Sequence, residues 1–230
     1  SINAKHLPDS ICVEAEKFVQ TILKTTGCKA RITSKKKADI EMSLDTNLPN
    51  EGYKLSVTKK KIQISASTTS GFFYAFQTIK KIMPAHVMAG LNPEQAQAII
   101  PTFQTDKRPT IPCVEIYDEP RFWYRGFMLD CGRHFFTVDE IKHILDGMAM
   151  YKMNYFHWHL TEDQGWRFEV KKYPRLTSIG SVASDCRMND MEKGYYWLGK
   201  RYGPFYYTQE DCREIVEYAR SLHIEVIPEI

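Results

Sequence analysis

The chain has 230 residues and contains no apolar run approaching the ~18 residues of a membrane-spanning helix, which excludes a helical bilayer span. Its six cysteines, at positions 12, 28, 113, 131, 186 and 212, form no C-x-x-C pair and no zinc spacing. They are also too sparse for a disulfide-stapled scaffold. Buried free thiols are the expectation. Charge of one sign is barely in excess: 31 Lys and Arg against 28 Asp and Glu, net +3. That is too mild for a nucleic-acid-binding field. The opening Ser1-Ile2-Asn3-Ala4-Lys5 holds no apolar leader core. An earlier leader could have been removed, so localisation stays open at this point.

What is present is an ordinary globular composition, 43% hydrophobic and 26% charged, with a seam near residue 118. Of 29 aromatic residues, 21 lie after that point, including all four Trp. Tyr117-Asp118-Glu119-Pro120 carries a proline that disfavours helix in the residue before it. Two domains are expected, 1–118 and 119–230.

The first part reads as an α+β layer. Ile11, Ala15, Phe18, Val19, Ile22 and Leu23 recur at helical spacing, and Gly27 follows as a stop. Ile40/Met42/Leu44, Tyr53/Leu55/Val57 and Ile62/Ile64/Ala66 alternate, as strands of an antiparallel sheet with one buried face would. Thr58–Lys61 is the tight link between two of them. A second helix carries Phe72, Phe73, Phe76, Ile79 and Ile82.

The second part reads as strand (125–131), helix (138–152), strand (154–160), a long aromatic loop (161–207), helix from Thr208, and strand (224–230). That order predicts parallel strands with crossovers, an α/β arrangement. Thr137 with Glu140, and Thr208 with Asp211, are capping boxes. Three strands are either a small open sheet or a piece of something longer, because a closed (β/α)8 barrel needs ~250 residues.

Chemistry in such folds collects at the C-terminal strand ends. The first strand ends in Asp130-Cys131-Gly132-Arg133-His134, the second runs into Thr161-Glu162-Asp163-Gln164-Gly165-Trp166-Arg167, and the third brings Glu229. Adjacent Glu162 and Asp163 point to opposite sides if extended, so one of them faces a pocket. Arg offers a fixed fork of donors suited to vicinal hydroxyls or a carboxylate. Trp166 and the Tyr/Trp-rich loop supply flat faces on which sugars stack, although packing of the loop accounts for most of these rings.

Arg125-Gly126-Phe127-Met128-Leu129-Asp130-Cys131-Gly132-Arg133-His134-Phe135-Phe136, Asn154 through Arg167, Arg201 through Gln209, and Val226-Ile227-Pro228-Glu229-Ile230 together resemble glycoside hydrolase family 20, the β-N-acetylhexosaminidases. The match covers nearly all of 119–230. Residues 1–118 resemble the non-catalytic domain that precedes the barrel, by order and size. The fold implied is an α+β domain followed by the first three β–α units of a (β/α)8 barrel, incomplete in this chain.

The resemblance implies removal of terminal N-acetylglucosamine or N-acetylgalactosamine with retention, the substrate's acetamido oxygen attacking the anomeric carbon in place of the usual protein carboxylate. Arg133 matches the family arginine that binds sugar hydroxyls. Glu162 matches the catalytic-site acid that orients a His behind the catalytic Glu, and Asp163 fills the next motif position in a supporting role. No cofactor is implied. N-acetylhexosamine-terminated glycans are the expected partners, with no nucleic acid, and a periplasmic or extracellular location is the family-level expectation. The family's catalytic Asp–Glu pair follows a Pro-Glu-hydrophobic-Asp-x-Pro-Gly-His stretch, of which Pro228-Glu229-Ile230 is the beginning. The 230 residues alone are therefore expected to be inactive. Two other readings stand beside this one. His157 and His159, two apart on a strand, could serve a metal-dependent hydrolase. A half-barrel with open strand edges could bind glycans or a partner chain, or self-associate.

Overall fold

A computed structural model describes residues 1–35, 37–100, 110–185, 187–190, 192, 194–197 and 199–230; Cys186 lies outside the described residues. The chain forms two compact units, Ser1–Trp123 and Tyr124–Ile230. No described helix is long and apolar enough to cross a membrane.

The first unit runs β1 (Ile2–Asn3), α1 (Asp9–Thr26), β2 (Ile32–Thr33), β3 (Ile40–Leu44), β4 (Tyr53–Val57), β5 (Ile62–Ala66), α2 (Thr69–Ile82), α3 (Ala85–Met88), α4 (Pro93–Ile99) and β6 (Val114–Asp118). Its six-stranded sheet has the order β2-β1-β3-β5-β4-β6. The Thr58–Lys61 link closes the β4–β5 hairpin as expected, Thr58 N donating to Lys61 O at 3.0 Å. The antiparallel expectation holds only for β4 with β5 and β6; β1–β2, β1–β3 and β3–β5 are parallel. Strand β5 folds back from β4 to lie between β4 and β3. Alternation reports which face of a strand is buried and says nothing of its neighbour's direction.

Helix α1 buries Ile11, Ala15 and Phe18, and Gly27 ends it with φ 70°. Helix α2 is buried from Gly71 through Ile79 because it packs between α1 and strands β4 and β5. Phe18 and Phe76 stack at 4.6 Å; burying each such ring contributes about 1.5–3 kcal/mol. Gly71 permits the close approach, since a Cβ there would sit 2.6 Å from Gly52 O.

The second unit runs β7 (Gly126–Asp130), α5 (Val138–Met150), β8 (Tyr155–His159), β9 (Thr161–Glu162), β10 (Gly165–Trp166), α6 (Arg175–Ser178), β11 (Arg187–Asp190), β12 (Gly194–Trp197), α7 (Gln209–Ser221) and β13 (Glu225–Glu229). Strands β13, β8 and β7 form a parallel sheet in that order. Both capping boxes are present: Thr137 Oγ1 accepts from Glu140 N, Thr208 Oγ1 accepts from Asp211 N, and each acid returns to the cap's own N–H. Each box satisfies N–H groups that the first turn of a helix leaves unpaired.

The expected loop 161–207 is more structured than the sequence suggested. It holds the β9–β10 and β11–β12 hairpins and the turn of helix α6. The thiols also divide. Cys131 is buried, whereas Cys28 and Cys113 are exposed, against the expectation of burial. Cys28 directly follows the αL residue that ends α1, and Cys113 precedes the first residue of β6. Neither position faces a core.

Candidate functional site

Register decides what the second unit presents at its strand ends. Asp130, His159 and Glu229 are aligned partners across β7, β8 and β13, and Met128, His157 and Ile227 form the rank below. Phe156 and Trp158 alternate to the opposite face and are buried. His157 and His159 therefore share one face, as their spacing required.

From that rank a chain of ionic contacts leads outward. Arg133 lies just past the end of β7. Its backbone N donates to Asp130 Oδ1 at 3.1 Å, and its Nε pairs with Asp130 Oδ2. Arg133 Nη1 donates to Glu162 Oε1. The same Glu162 oxygen lies 3.1 Å from His159 Nε2. His159 Nδ1 lies 2.6 Å from Glu229 Oε2, and His157 Nε2 reaches that oxygen at 2.6 Å as well. The sequence Asp130–Arg133–Glu162–His159–Glu229–His157 thus ties together the ends of all three strands. Gly132 lets the β7 end meet β9, because a Cβ at Gly132 would stand 3.0 Å from both Glu162 Cβ and Glu162 N.

His159 sits with a carboxylate at each ring nitrogen, an arrangement only the imidazolium satisfies by donating from both. Its pKa is raised, first by the hydrogen bond to Glu229 and against the effect of burial. Glu229 is held low by hydrogen bonds from His159 and then His157. The raised His159 contributes stability that is complete below its ordinary pKa of 6.5 and is lost as pH rises through the folded value. The depressed Glu229 contributes above its ordinary 4.5 and is lost as pH falls through the folded value. The pair therefore contributes most between those two ordinary values. In Glu229→Gln, the His159 ring resonances in an NMR titration are expected to move at lower pH than in the wild type. An unchanged midpoint would show that Glu229 does not set it.

Beneath the rim lies an arginine that sequence reasoning did not single out. Arg167 is fully buried. Its Nε donates to Cys131 O at 3.0 Å, Nη2 to Gly132 O at 3.0 Å, and Nη1 to Ser181 O and Phe205 O, both at 2.9 Å. Its guanidinium carbon is 5.7 Å from the centre of the Tyr202 ring. Gly165 makes room for it, since a Cβ there would fall 2.2 Å from Arg167 Nη2. The signal available in the sequence was the residue type: a guanidinium offers five donors in a fixed fork. Tyr207 is also buried, edge-on to Trp158 and beside Cys131, and burial is the largest cause of its raised pKa.

Above the rim opens a cavity of about 390 Å³ lined by Arg133, Glu162, Gln164, Ala183, Asp185, Trp197 and Tyr202. It brings together two of the three residues singled out from the sequence, Arg133 and Glu162. Asp163 is exposed in the two-residue turn between β9 and β10 and shares no described contact with the cluster. Trp166 is turned away: its Nε1 donates to Phe168 O. Trp197 and Tyr202 supply the aromatic walls instead. Among the described residues no group of three or more His, Cys, Asp or Glu is arranged to hold a metal. His157 Nε2 and His159 Nδ1 both engage Glu229 Oε2.

Residues 7–119 match the model of glycosyl hydrolase family 20, domain 2, and residues 122–230 match that of the glycosyl hydrolase family 20 catalytic domain. The chain is 42% identical over 234 residues to a beta-hexosaminidase of Porphyromonas gingivalis, covering 96% of this chain and 27% of that protein. It is 38% identical to a beta-hexosaminidase of Vibrio furnissii, covering 84% of this chain and 28% of that protein. The chain thus spans about a quarter of the length of these relatives. Among solved structures, it is similar to the Vibrio harveyi exo beta-N-acetylglucosaminidase in complex with N-acetylglucosamine, with TM-score 0.74, 31% identity, and coverage of 100% of this chain and 32% of that one. It is also similar to the Streptomyces plicatus hexosaminidase in complex with thio-NAglucal, with TM-score 0.78, 31% identity, and coverage of 100% and 41%.

Proposed function

This chain belongs to glycosyl hydrolase family 20, and from that premise we propose that it is the leading portion of a β-N-acetylhexosaminidase. On this reading residues 1–118 are the non-catalytic domain, and residues 119–230 supply the first three β–α units of the (β/α)8 barrel. The substrate is a glycan ending in a β-linked N-acetylhexosamine. The observation that carries the reading is the Arg133–Glu162 pair. Two residues 29 positions apart meet at the strand ends inside a cavity of about 390 Å³, within the usual range for small-molecule sites.

The roles follow from the chemistry of each group. Arg133 presents fixed N–H donors to vicinal sugar hydroxyls, and Asp130 and Glu162 hold its fork in place. Glu162, fixed by Arg133 on one side and His159 on the other, is a positioning acid for a histidine contributed after Ile230. The Asp–Glu pair that would polarise the acetamido group and protonate the leaving oxygen belongs to the same later segment. Asp163 keeps a supporting role near the rim.

The test is hydrolysis of N,N′-diacetylchitobiose, followed by release of N-acetylglucosamine. The full-length protein is expected to turn it over with the β-anomer formed first, and the 230 residues alone to be inert. Turnover by the 230 residues alone would remove the need for a later Asp–Glu pair. No turnover by the full-length protein on either gluco- or galacto-configured substrates would overturn the reading.

A further inference from the structure

His159 ends the middle strand of the parallel sheet, and the backbone around it is fixed on both sides. Cys131 N donates to His159 O at 2.8 Å from the β7 side, and Leu160 N donates to Glu229 O at 3.0 Å on the β13 side. Its neighbours in sequence, Trp158 and Leu160, are buried. The ring therefore stands at a set place, with its side chain only 12% exposed. Charged groups face it from every neighbouring strand: Glu229 from β13, Glu162 from β9, and Asp130, its aligned partner, from β7. His157, on the same strand, shares Glu229 Oε2, and Arg133 stands beyond Glu162.

Glu162 Oε1 meets Arg133 Nη1 on one side and His159 Nε2, at 3.1 Å, on the other. We infer that His159 is a positioning residue: as the imidazolium it holds Glu162 against Arg133, and so keeps the guanidinium aimed at the sugar. This rests on the hexosaminidase reading of Arg133. The imidazolium donates to Glu229 from Nδ1 and to Glu162 from Nε2. A neutral ring has given up one proton to water and keeps one N–H. The Glu229 contact is the shorter, 2.6 Å against 3.1 Å, and the hydrogen bond to Glu229 is the first cause of the raised His159 pKa. The remaining proton therefore stays on Nδ1, and Nε2 turns a lone pair toward the Glu162 carboxylate. Lone pair and carboxylate oxygen repel, so Glu162 shifts off the ring. Arg133 Nη1 is disturbed with it, because the same oxygen serves both. Asp130 still pairs with Arg133 Nε, so the arginine loosens without leaving the rim. Deprotonation thus weakens the hold on the sugar, and by linkage a bound sugar favours the protonated ring.

The experiment uses the full-length protein with isotope-labelled histidine. The His159 ring resonances and kcat/KM on N,N′-diacetylchitobiose are both followed from about pH 5 to 9, around the range in which histidine titrates. In the wild type, kcat/KM is expected to fall about tenfold per pH unit above the His159 midpoint, the slope of a single proton. Bound N-acetylglucosamine is expected to move that midpoint upward. In Glu229→Gln the midpoint and the alkaline limb are expected to move together to lower pH by about one pH unit, the effect of losing a neighbouring opposite charge. His159→Gln keeps a donor and lacks the charge. It is expected to lower kcat/KM by about tenfold at the acid end, chiefly through KM, and to lose that limb.

A merely structural role would lower the rates of both variants and leave the limb where it was. A limb that stays in place while the His159 midpoint moves would therefore overturn the inference, as would a His159→Gln enzyme with the wild-type profile. A wild-type midpoint indifferent to N-acetylglucosamine would overturn it without any substitution. A wild type that turns over no substrate would overturn the hexosaminidase reading and this inference with it. Turnover with a limb unrelated to His159 would overturn this inference alone.

Discussion

Arg167→Met is expected to lower the stability of the 230-residue chain by about 3–5 kcal/mol, the loss typical of breaking a buried ionic or charge-assisted network. Chemical denaturation followed by tryptophan fluorescence reads it directly, because Trp158 and Trp166 lie in the affected unit. The size follows from what the guanidinium does. It gathers carbonyls of Cys131, Gly132, Ser181 and Phe205, three separate segments that run past the strand ends. Methionine fills most of the volume and satisfies none of these acceptors. Each carbonyl left buried without a donor costs about 1–3 kcal/mol, reduced where the segment relaxes toward water. Since whole domains are stable by only about 5–15 kcal/mol, the loss is a large share of the total.

The same change reaches the rim. Gly132, whose carbonyl Arg167 holds, directly precedes Arg133. Arg167→Lys distinguishes a fork from a charge, since one ammonium has three donors on one nitrogen and cannot serve acceptors on opposite sides of a plane. Lysine is therefore expected to recover less than half of the lost stability. A methionine variant within about 1 kcal/mol of the wild type, the ordinary surface range, would show that Arg167 is not what binds these segments together.

How far such a site can be read from sequence depends on which interactions are local. Helices α5 and α7 were legible because Thr137 with Glu140 and Thr208 with Asp211 are three residues apart and start an apolar stripe of helical period. Strand β8 was legible because Phe156 and Trp158 alternate with His157 and His159. Arg133 and Glu162 were legible through the motifs that carry them. Their direct ion pair needed the structure, because Gly132 had to bring β7 against β9. The grip of Glu229 on both histidines depends on the β13–β8 register, a long-range fact that no window of sequence contains. The β11–β12 hairpin was hidden for another reason. Its first strand, Arg-Met-Asn-Asp, lacks β-branched and aromatic residues. Arg167 was missed because arginine is rarely fully buried, so its type argued for the surface.

Arg133→Ala in the full-length protein is expected to lower kcat/KM on N,N′-diacetylchitobiose by about 100-fold, carried mostly by KM. That loss is about 2.7 kcal/mol, the size of one hydrogen bond from a charged donor to a sugar hydroxyl, worth about 1.5–3 kcal/mol. Glu162→Gln is expected to cost a comparable factor by another route. It keeps the shape and removes the charge that fixes Arg133 Nη1 and His159 Nε2. If Glu162 acts partly by holding Arg133, the two substitutions share a mechanism. The double variant should then lose much less than the product of the single losses, with a coupling of about 1–3 kcal/mol, as for residues in one network. His159 provides an independent readout. Glu162 is among the groups that raise its pKa, so Glu162→Gln is expected to lower its NMR midpoint. Arg133→Ala removes a neighbouring cation and is expected to leave it level or raise it. Additive losses with opposite effects on kcat and KM would mean that Arg133 and Glu162 serve the substrate separately, and the ion pair between them would be a structural contact only. A near-silent double variant relative to either single would place them in one device, in which the acid aims the arginine and the arginine holds the sugar.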